Sequence, residues 1–506
     1  MKKKKIKIFL FFLLILVFLP RTYSLTEYVI DYDSLAKEIR NSEGKEIKLS
    51  FDLISELALK NSLDIQIARY DAYIEQTELK KAESIFDTFF ELEADYIHDK
   101  KDAVSNLVGT KKKNITYSAD ISKKLPSGTT VSLGVKAKKE KTNSTSATIN
   151  PSYESLAEVS IIQSLGRNFF GLADRADIKI TKLDIKNSDF SSLDKIEHSL
   201  FEAQKAYLNF LSMDQKLTIR KDMLDKAKEL YQIYKKKFSL GTAEKPELLA
   251  IEALVKRRIS ELEVAKLKRL KAKNNLFFLL NISEINKKIE ALDDLLIKIE
   301  KVDFYQALRE AIEYRRDYQQ IKNRLKKNDI QVAVKKNALW PEIDLEASFA
   351  RNNIEGSYSD SIDNFTKQSH DEIAVGISVK IPLENNEAES ELEAVKLQGK
   401  KNLVLFKKNE RLILKEINDK ASDVNSYSTQ VDTNQEIVEI QKEKLFLEKK
   451  RLEIGLSSAD IIIDYHQDLL EARLSLVNSL FKYRLGLIGL DLAKNSLLDK
   501  YWDEPL

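Results

Sequence analysis

Apolar residues recur every seven positions along two long stretches of the chain. The first series begins at Ile196 and ends at Phe238, and the second begins at Ile417 and ends at Leu452, so that Phe238 and Leu452 match at an offset of 214. A seven-residue repeat is typical of helices that pack as coiled coils. It predicts a helix over residues 174–240, about 100 Å long at ~1.5 Å per residue, and an equivalent helix in the second half.

A glycine follows each of these series, and an apolar repeat resumes behind it. Beyond Gly241 and Gly455 the apolar positions match at the same offset: Leu248, Val255 and Leu262 against Ile462, Leu469 and Leu476. Each half of the chain is therefore expected to contain two very long helices joined near a glycine. An ordinary coiled-coil protein would show the same helices.

Six segments between the helices alternate between apolar and polar residues, which predicts strands with two different faces. A tight turn, Leu125-Pro126-Ser127-Gly128, separates the second segment from the third. Such strands usually cover a globular core, but the rest of this chain is long helix. One apolar and one charged face is also the pattern of a membrane barrel with lipid outside and water inside. The segments are residues 89–96, 115–122, 130–137, 157–161, 343–349 and 373–381.

The whole helix–strand–helix unit is duplicated. Ala58 and Asp64 match Ala311 and Asp317 at an offset of 253, whereas the segment at 163–165 matches 381–383 at an offset of 218. The first half therefore carries 253 − 218 = 35 extra residues, which would hold one additional hairpin at about 115–138. The expected organisation is a first repeat at 25–282, a linker at 283–303, a second repeat at 304–490 and a tail at 491–506.

Residues 1–24 have the pattern of a secretory signal peptide. Lys2–Lys5 precede an unbroken apolar run, Ile8–Leu19, and Thr22-Tyr23-Ser24 supplies a cleavage site. A retained N-terminal anchor is the alternative. Because this segment carries six positive charges and no acid, the rest of the chain has a net charge of −3 instead of +3. That balance argues against a nucleic-acid partner.

The amino-acid composition excludes most kinds of active site. The 506 residues include no cysteine and four scattered histidines, so thiol catalysis, disulfides and a lipid-modified cysteine are excluded and no metal site is indicated. There is no glycine-rich phosphate loop and no spacing typical of a nucleophile with its base. We therefore expect no enzymatic activity and no cofactor.

Taken together, these features resemble the TolC-like outer membrane efflux protein family. The resemblance covers roughly residues 49–495 and rests on the order and duplicate spacing of LALKNSLDIQIA, LPSGTTVSLGV, VSIIQSLGRNFFG, VGISVKIPL and RLEIGLSSADIIIDYHQDLLEARLSLVNSLFKY. It implies an α+β membrane protein. Its duplicated coiled-coil helices would form a periplasmic α-barrel, and its amphipathic strands would contribute to a trimeric transmembrane β-barrel.

The resemblance also implies function and partners. Such proteins are homotrimers in outer membrane lipid that dock onto a periplasmic adaptor, and through it onto an inner-membrane efflux pump or an ABC transporter of type I secretion. The chain would then be a passive exit duct, and a periplasmic tethering coiled coil is the alternative. The sequence indicates no substrate. Family members have four strands per protomer, so the extra hairpin either joins the barrel, for 18 strands in three copies of six, or packs against it.

Three groups of residues follow as candidate sites. The turns after the long helices would form adaptor-docking tips, or simple glycine C-caps: Leu240, Gly241, Thr242, Ile454, Gly455 and Leu456. Asp464, Asp460 and Glu247 would line a periplasmic aperture that favours cations, or be solvated acids at helix starts. A third set of acids would face the barrel lumen, where solvation alone also explains them: Glu91, Glu93, Asp95, Asp344 and Glu346.

Overall fold

The computed structural model describes residues 46–102, 107, 109–367, 370–454 and 456–501. The predicted signal peptide at 1–24 and Gly455 lie outside these residues. The described residues divide into two compact units: the smaller combines residues 46–47 with Ile282–Glu290, and the larger combines Lys48–Asn281 with the described residues from Ala291 onward. In the smaller unit a turn is closed by the Lys287 N–H, which donates to the Glu284 carbonyl over 3.1 Å. All long helices and the large sheet belong to the larger unit.

Four short helices open the two repeats in the same way. They are α1 (Phe51–Asn61), α2 (Leu63–Glu83), α5 (Phe304–Tyr314) and α6 (Arg316–Asn337), and the second pair starts at the predicted offset from the first. Each first helix has a polar N-cap: Ser50 Oγ accepts from the Leu53 N–H, and Asp303 Oδ1 accepts from the Tyr305 N–H. The duplication therefore extends to the helix caps.

Two helices of 68 residues dominate the larger unit, and both begin and end at matching positions. They are α3 (Leu172–Ser239) and α8 (Asn386–Glu453), followed by α4 (Lys245–Leu279) and α9 (Ala459–Lys494). The starts of α8 and α9 follow those of α3 and α4 at the offset that the heptads predict. All six heptad positions from Ile417 to Leu452 are buried. In the first series the last member, Phe238, is instead 42% exposed, because it lies at the end of its helix.

The described part of the chain has eight strands in two sheets. The small sheet consists of β1 (Glu46–Leu49) and β6 (Lys288–Ala291). The large sheet is antiparallel and has six strands in the order β2-β3-β4-β5-β7-β8. Its members are β2 (Thr88–Asp99), β3 (Lys112–Lys124), β4 (Thr129–Thr142), β5 (Ser152–Ser164), β7 (Glu342–Glu355) and β8 (Asp371–Lys380). Each of the six predicted segments is a strand, and the predicted class of long coiled-coil helices with amphipathic strands is confirmed.

The register of the large sheet gathers the apolar positions of all six strands on one face. A single row across the sheet runs through Phe90, Ile121, Leu133, Val159, Phe349 and Ile373. The next row points to the other face and runs through Glu91, Asp120, Gly134, Glu158, Ala350 and Glu372. Because side chains alternate along a strand, the sheet has one continuous apolar face and one polar face.

The polar segment at 352–370 contains a short helix, α7 (Tyr358–Asp363). Ser361 is fully buried, and its hydroxyl lies 2.8 Å from Ser155 Oγ on β5. The Tyr358 ring packs edge-on against Tyr153, with centroids 4.5 Å apart. Periodicity could not indicate this element, because so short a helix shows no helical repeat.

No helix in the part of the chain that the structure describes is long and apolar enough to cross a membrane.

Candidate functional site

The turn between α3 and α4 ends the long helix with a left-handed glycine. Gly241 has φ +72°, and its N–H donates to the Phe238 carbonyl over 3.0 Å. The Thr242 N–H reaches back to the Lys237 carbonyl over 2.9 Å. These two bonds make a Schellman motif, which satisfies carbonyl groups that the end of a helix leaves without partners. The predicted glycine C-cap is therefore present.

The turn between α8 and α9 repeats this geometry in the second half of the chain. The Leu456 N–H donates to the Arg451 carbonyl over 2.8 Å, which is the bond that Thr242 makes to Lys237. Gly455, the counterpart of Gly241, lies outside the described residues. Both turns therefore close their helices through the same backbone bond.

Large apolar side chains project from both turns. Leu240, Ile454 and Leu456 are 68%, 70% and 64% exposed, and a Cβ at Gly241 would meet no described atom within 4 Å. Below them one cluster joins the ends of α3, α4, α8 and α9: Leu230, Tyr234, Ile251, Leu452, Ala459 and Ile462. One core therefore holds both turns, and each turn exposes large apolar side chains.

Glu247 takes part in a helix cap. Its carboxylate accepts from the Glu244 N–H over 2.9 Å, and the Glu244 side chain caps the first turn of α4 in return. This is a capping box, which satisfies amide groups at the start of a helix. The sequence signal for it was available, since Glu244 and Glu247 have the spacing that the box requires.

Asp460 lies in the first turn of α9, and its charge acts on the same tyrosine, Tyr234, as the charge of Glu247. Burial of Tyr234, together with the charges of Glu247 and Asp460, raises the pKa of its phenol to about 12. Two of the three predicted aperture acids therefore flank one buried tyrosine of α3.

Asp464 has different surroundings. It is exposed on α9 near Lys444, whose pKa is raised chiefly by its hydrogen bond to Asp468 and to a smaller degree by Asp464. Lys444 Nζ lies 2.9 Å from Asp468 Oδ2 and 3.8 Å from the centroid of the Tyr465 ring. Asp464 thus retains an accessible carboxylate, and the structure does not group it with Glu247 and Asp460 around Tyr234.

The predicted lumen acids all lie on the polar face of the large sheet. The acids of β2 and of β7 are far apart within it, because β3, β4 and β5 separate the two strands. The register adds acids to this face that were not proposed as lumen residues, among them Asp120 beside Glu91. The same alternation would have identified Asp120, which shares the polar side of its strand with Ser118 and Ser122.

Sequence reasoning missed a cationic pocket beside the tips. His466 is 4% exposed, and its Nε2 has no hydrogen-bond partner among the described residues. Lys226 and Lys449 line the same pocket. The lysines and the histidine come from three helices, so no local sequence pattern could have linked them. Across the described residues there is no group of three or more His, Asp or Glu side chains arranged to hold a metal ion.

Residues 307–492, a little more than a third of the chain, match the family model described as outer membrane efflux protein. None of the curated protein sequences matches the chain.

Solved structures match over nearly the whole chain. The CmeC outer membrane channel of Campylobacter jejuni has a TM-score of 0.65 and 17% identity over 88% of this chain and 85% of its own. The outer membrane protein VceC of Vibrio cholerae scores 0.65 with 15% identity, over 88% and 95%. The open state of the Neisseria gonorrhoeae MtrE channel scores 0.65 with 14% identity, over 88% and 89%. The resemblance seen in the sequence is confirmed, and the protein has the fold of the TolC-like outer membrane efflux proteins.

Proposed function

We propose that the protein is an outer-membrane exit duct, which passively conducts substrates from an inner-membrane transporter and a periplasmic adaptor to the exterior. The observation that carries this proposal is the fold, shared over 88% of the chain with outer membrane channels such as CmeC and MtrE. The matching family consists of channels and not of enzymes. The helical part would lie in the periplasm and the large sheet in the outer membrane.

The apolar face of the large sheet supports this location. Ile373, Val375 and Ile377 of β8 are 76%, 71% and 67% exposed. At ~25 cal/mol per Å², leaving such a face in water would be costly, and lipid removes that cost. The alternative, a tethering coiled coil in the periplasm, would have to cover this face by association of its strands.

Assembly into a homotrimer would cover further apolar surface. On α2 an apolar stripe is exposed at helical spacing: Ile67, Tyr70, Tyr73 and Ile74. Among the described strands, β2 and β8 also have no neighbour along their outer edges. Free strand edges and exposed apolar stripes both require a partner, and a second copy of the chain supplies both.

The adaptor would dock at the two turns. Leu240, Ile454 and Leu456 offer it apolar side chains on turns that one core holds, and Gly241 and Thr242 shape the first of these turns. The inner-membrane partner, an efflux pump or an ABC transporter, would supply the energy. Asp464 is the first candidate for the aperture ring, since its carboxylate is accessible. Asp460 and Glu247 would contribute a second group of acids beside Tyr234.

The test is planar-bilayer conductance of the detergent-extracted mature protein, with its oligomer mass measured on the same sample. We expect a trimer that inserts and forms discrete channels that prefer cations. A trimer that inserts with low conductance would indicate a closed tip that awaits its adaptor. A non-inserting coiled coil would instead support the tethering function.

In the same assay, Asp464→Ala should lower the cation-to-anion permeability ratio about fivefold. That factor corresponds to the ~1 kcal/mol with which one charge acts on another at 4 Å in water. The matched control is Glu471→Ala, one heptad further along α9, where the carboxylate is also exposed and accepts from Gln467. Unchanged selectivity of the Asp464 variant would exclude this ring.

A further inference from the structure

We propose that β3 and β4 are strands of the membrane barrel itself, so that each protomer supplies six strands and a trimer closes one barrel of 18. The trimer belongs to the proposed function above, and this inference rests on it. The conclusion that one protomer contributes six strands does not rest on the trimer, because the contacts that support it all lie within the single chain.

The hairpin lies inside the sheet and not at its margin. β3 pairs with β2 along Thr88–Asp99, and β4 pairs with β5 along Thr129–Glu140. β5 is also paired with β7 on its other side. A four-stranded contribution would require the hairpin to leave and β2 to take its place beside β5, which would break both ladders along their whole length.

The hairpin also continues the apolar face without interruption. Ile121 of β3 lies between Phe90 and Leu133, and Leu133 of β4 lies between Ile121 and Val159. Leu133 and Val135 are 48% and 51% exposed. A hairpin packed against the outside of a smaller barrel would have to cover one of its faces with protein, whereas here both faces match those of the neighbouring strands.

The turn of the hairpin is fixed to the junction between β5 and α3. Gly128 and Gly171 both have positive φ, +74° and +66°. A Cβ on Gly171 would lie 2.6 Å from the Pro126 carbonyl oxygen, and one on Gly128 would lie 2.5 Å from the Gly171 nitrogen. The two backbones therefore meet at a distance that only glycine permits.

Side chains add to this attachment. Lys124 at the end of β3 forms an ion pair of 2.7 Å with Asp174, which is buried in the first turn of α3. Gln163 of β5 accepts from the Thr129 hydroxyl and donates to the Ser127 carbonyl. The insertion is thus joined by backbone, charge and hydrogen bonds to the scaffold that both repeats share.

Six strands also permit closure between copies. In an antiparallel sheet with an even number of strands, the last strand runs opposite to the first. β8 of one protomer can therefore pair in antiparallel fashion with β2 of the next. Both edges needed for this pairing are open within the described chain, along Thr88–Asp99 and Asp371–Lys380. Barrel closure is the arrangement that removes such edges.

The width of the exit follows from the number of strands. At ~4.8 Å between strands and a tilt of ~40°, 18 strands give a backbone diameter of about 36 Å, against about 24 Å for 12. The hairpin would thus widen the exit about 1.5-fold, and the barrel would admit correspondingly wider solutes.

The experiment uses the natural absence of cysteine, which leaves no background in disulfide trapping. Opposed residues on antiparallel strands have Cα atoms about 4.5–5.5 Å apart, within the range of a disulfide. One double variant, Leu92→Cys/Ala119→Cys, links β2 to β3, and another, Val135→Cys/Ala157→Cys, links β4 to β5. The matched control, Ala347→Cys/Val375→Cys, links β7 to β8. The full mature chain is oxidised in membranes, and the strands of the purified oligomer are counted by electron cryomicroscopy.

We expect disulfides within the protomer in all three variants and 18 strands in the trimer. Formation of the control disulfide alone, or a barrel of 12 strands, would overturn the inference. The oligomer mass and the conductance of the same samples report separately on the proposed function. If the chain is not a trimer, the first two disulfides still show whether one protomer holds six adjacent strands.

Discussion

Replacing Glu197 with Gln should destabilise the protein by about 3–5 kcal/mol, the usual effect of removing one partner of a buried ion pair. Glu197 is fully buried in α3, and its Oε2 lies 2.5 Å from Nη1 of Arg316 at the start of α6. Arg316 is itself 7% exposed. A neutral amide in place of the carboxylate would leave the guanidinium with Asp194 as its remaining acidic partner among the described residues, 3.1 Å away.

The carboxylate also binds the end of the chain. Glu197 Oε1 accepts from the Leu497 and Leu498 N–H groups over 2.7 and 3.2 Å, and Oε2 accepts from Asn495 Nδ2 over 2.8 Å. Asn495 has φ +56° and ends α9. One side chain therefore joins α3, α6 and the segment after α9. A glutamine cannot accept all these bonds, because its amide nitrogen only donates.

Thermal unfolding in detergent measures the effect. A chain of this length unfolds with an entropy of about 1 kcal/mol per K, so the melting temperature should fall by about 3–5 °C. Glu202→Gln is the matched control on the same helix, since its pair with Lys205 is half-exposed and contributes ~1 kcal/mol or less. The double variant Glu197→Met/Arg316→Met should recover part of the loss by replacing the pair with apolar side chains. Equal melting temperatures for Glu197→Gln and Glu202→Gln would contradict this role.

The long helices could be predicted closely because their signal is repeated many times. The expected helix at 174–240 is found at Leu172–Ser239, and its partner follows at the predicted offset. Coiled-coil packing selects an apolar residue every seventh position, so one misleading residue, such as the exposed Phe238, does not obscure the pattern.

Strand alternation predicted which residues share a face but not which strands are neighbours. Period two is the same for a strand inside the sheet and for one in a detached hairpin. The place of β3 and β4 is decided by contacts such as Lys124 with Asp174, and both residue types are too common in the sequence to be matched without the fold.

The candidate site was only partly accessible to sequence reasoning. The spacing behind Gly241 located Glu247 at a helix start, and the structure places it in a capping box. Clusters of charged residues that come together from distant segments leave no recognisable pattern in the local sequence. Glu197 and Arg316 are 119 residues apart, and a buried pair at that separation has no periodicity.

Acidification should destabilise the protein through His466, by about 2 kcal/mol between pH 8 and pH 5. Burial, with the charges of Lys449, Arg258 and Lys226, lowers the pKa of His466 to about 4, whereas an unfolded histidine titrates near 6.5. Between these values the unfolded chain binds the proton and the folded chain does not. Stability is therefore fully present above pH 6.5 and is lost as the pH falls toward 4.

The surroundings of the His466 imidazole explain why its pKa is lowered. Lys226 and Asp222 face it from α3, Lys449 from α8 and Arg258 from α4, so cations outnumber acids. Two further acids, Glu229 and Glu453, and a further lysine, Lys237, line the same pocket. The pKa of Lys449 is itself lowered, by burial first and then by Lys226. A further positive charge in this pocket would add repulsion to the cost of burial.

His466→Leu removes the titrating group and keeps an apolar side chain in the pocket. Its melting temperature should therefore fall about 2 °C less than that of the native protein between pH 8 and pH 5, at the unfolding entropy of about 1 kcal/mol per K used above. His198→Leu is the control for the loss of one imidazole, since His198 is exposed on α3. The same acid-induced fall in the native protein and in His466→Leu would show that the pH dependence arises elsewhere.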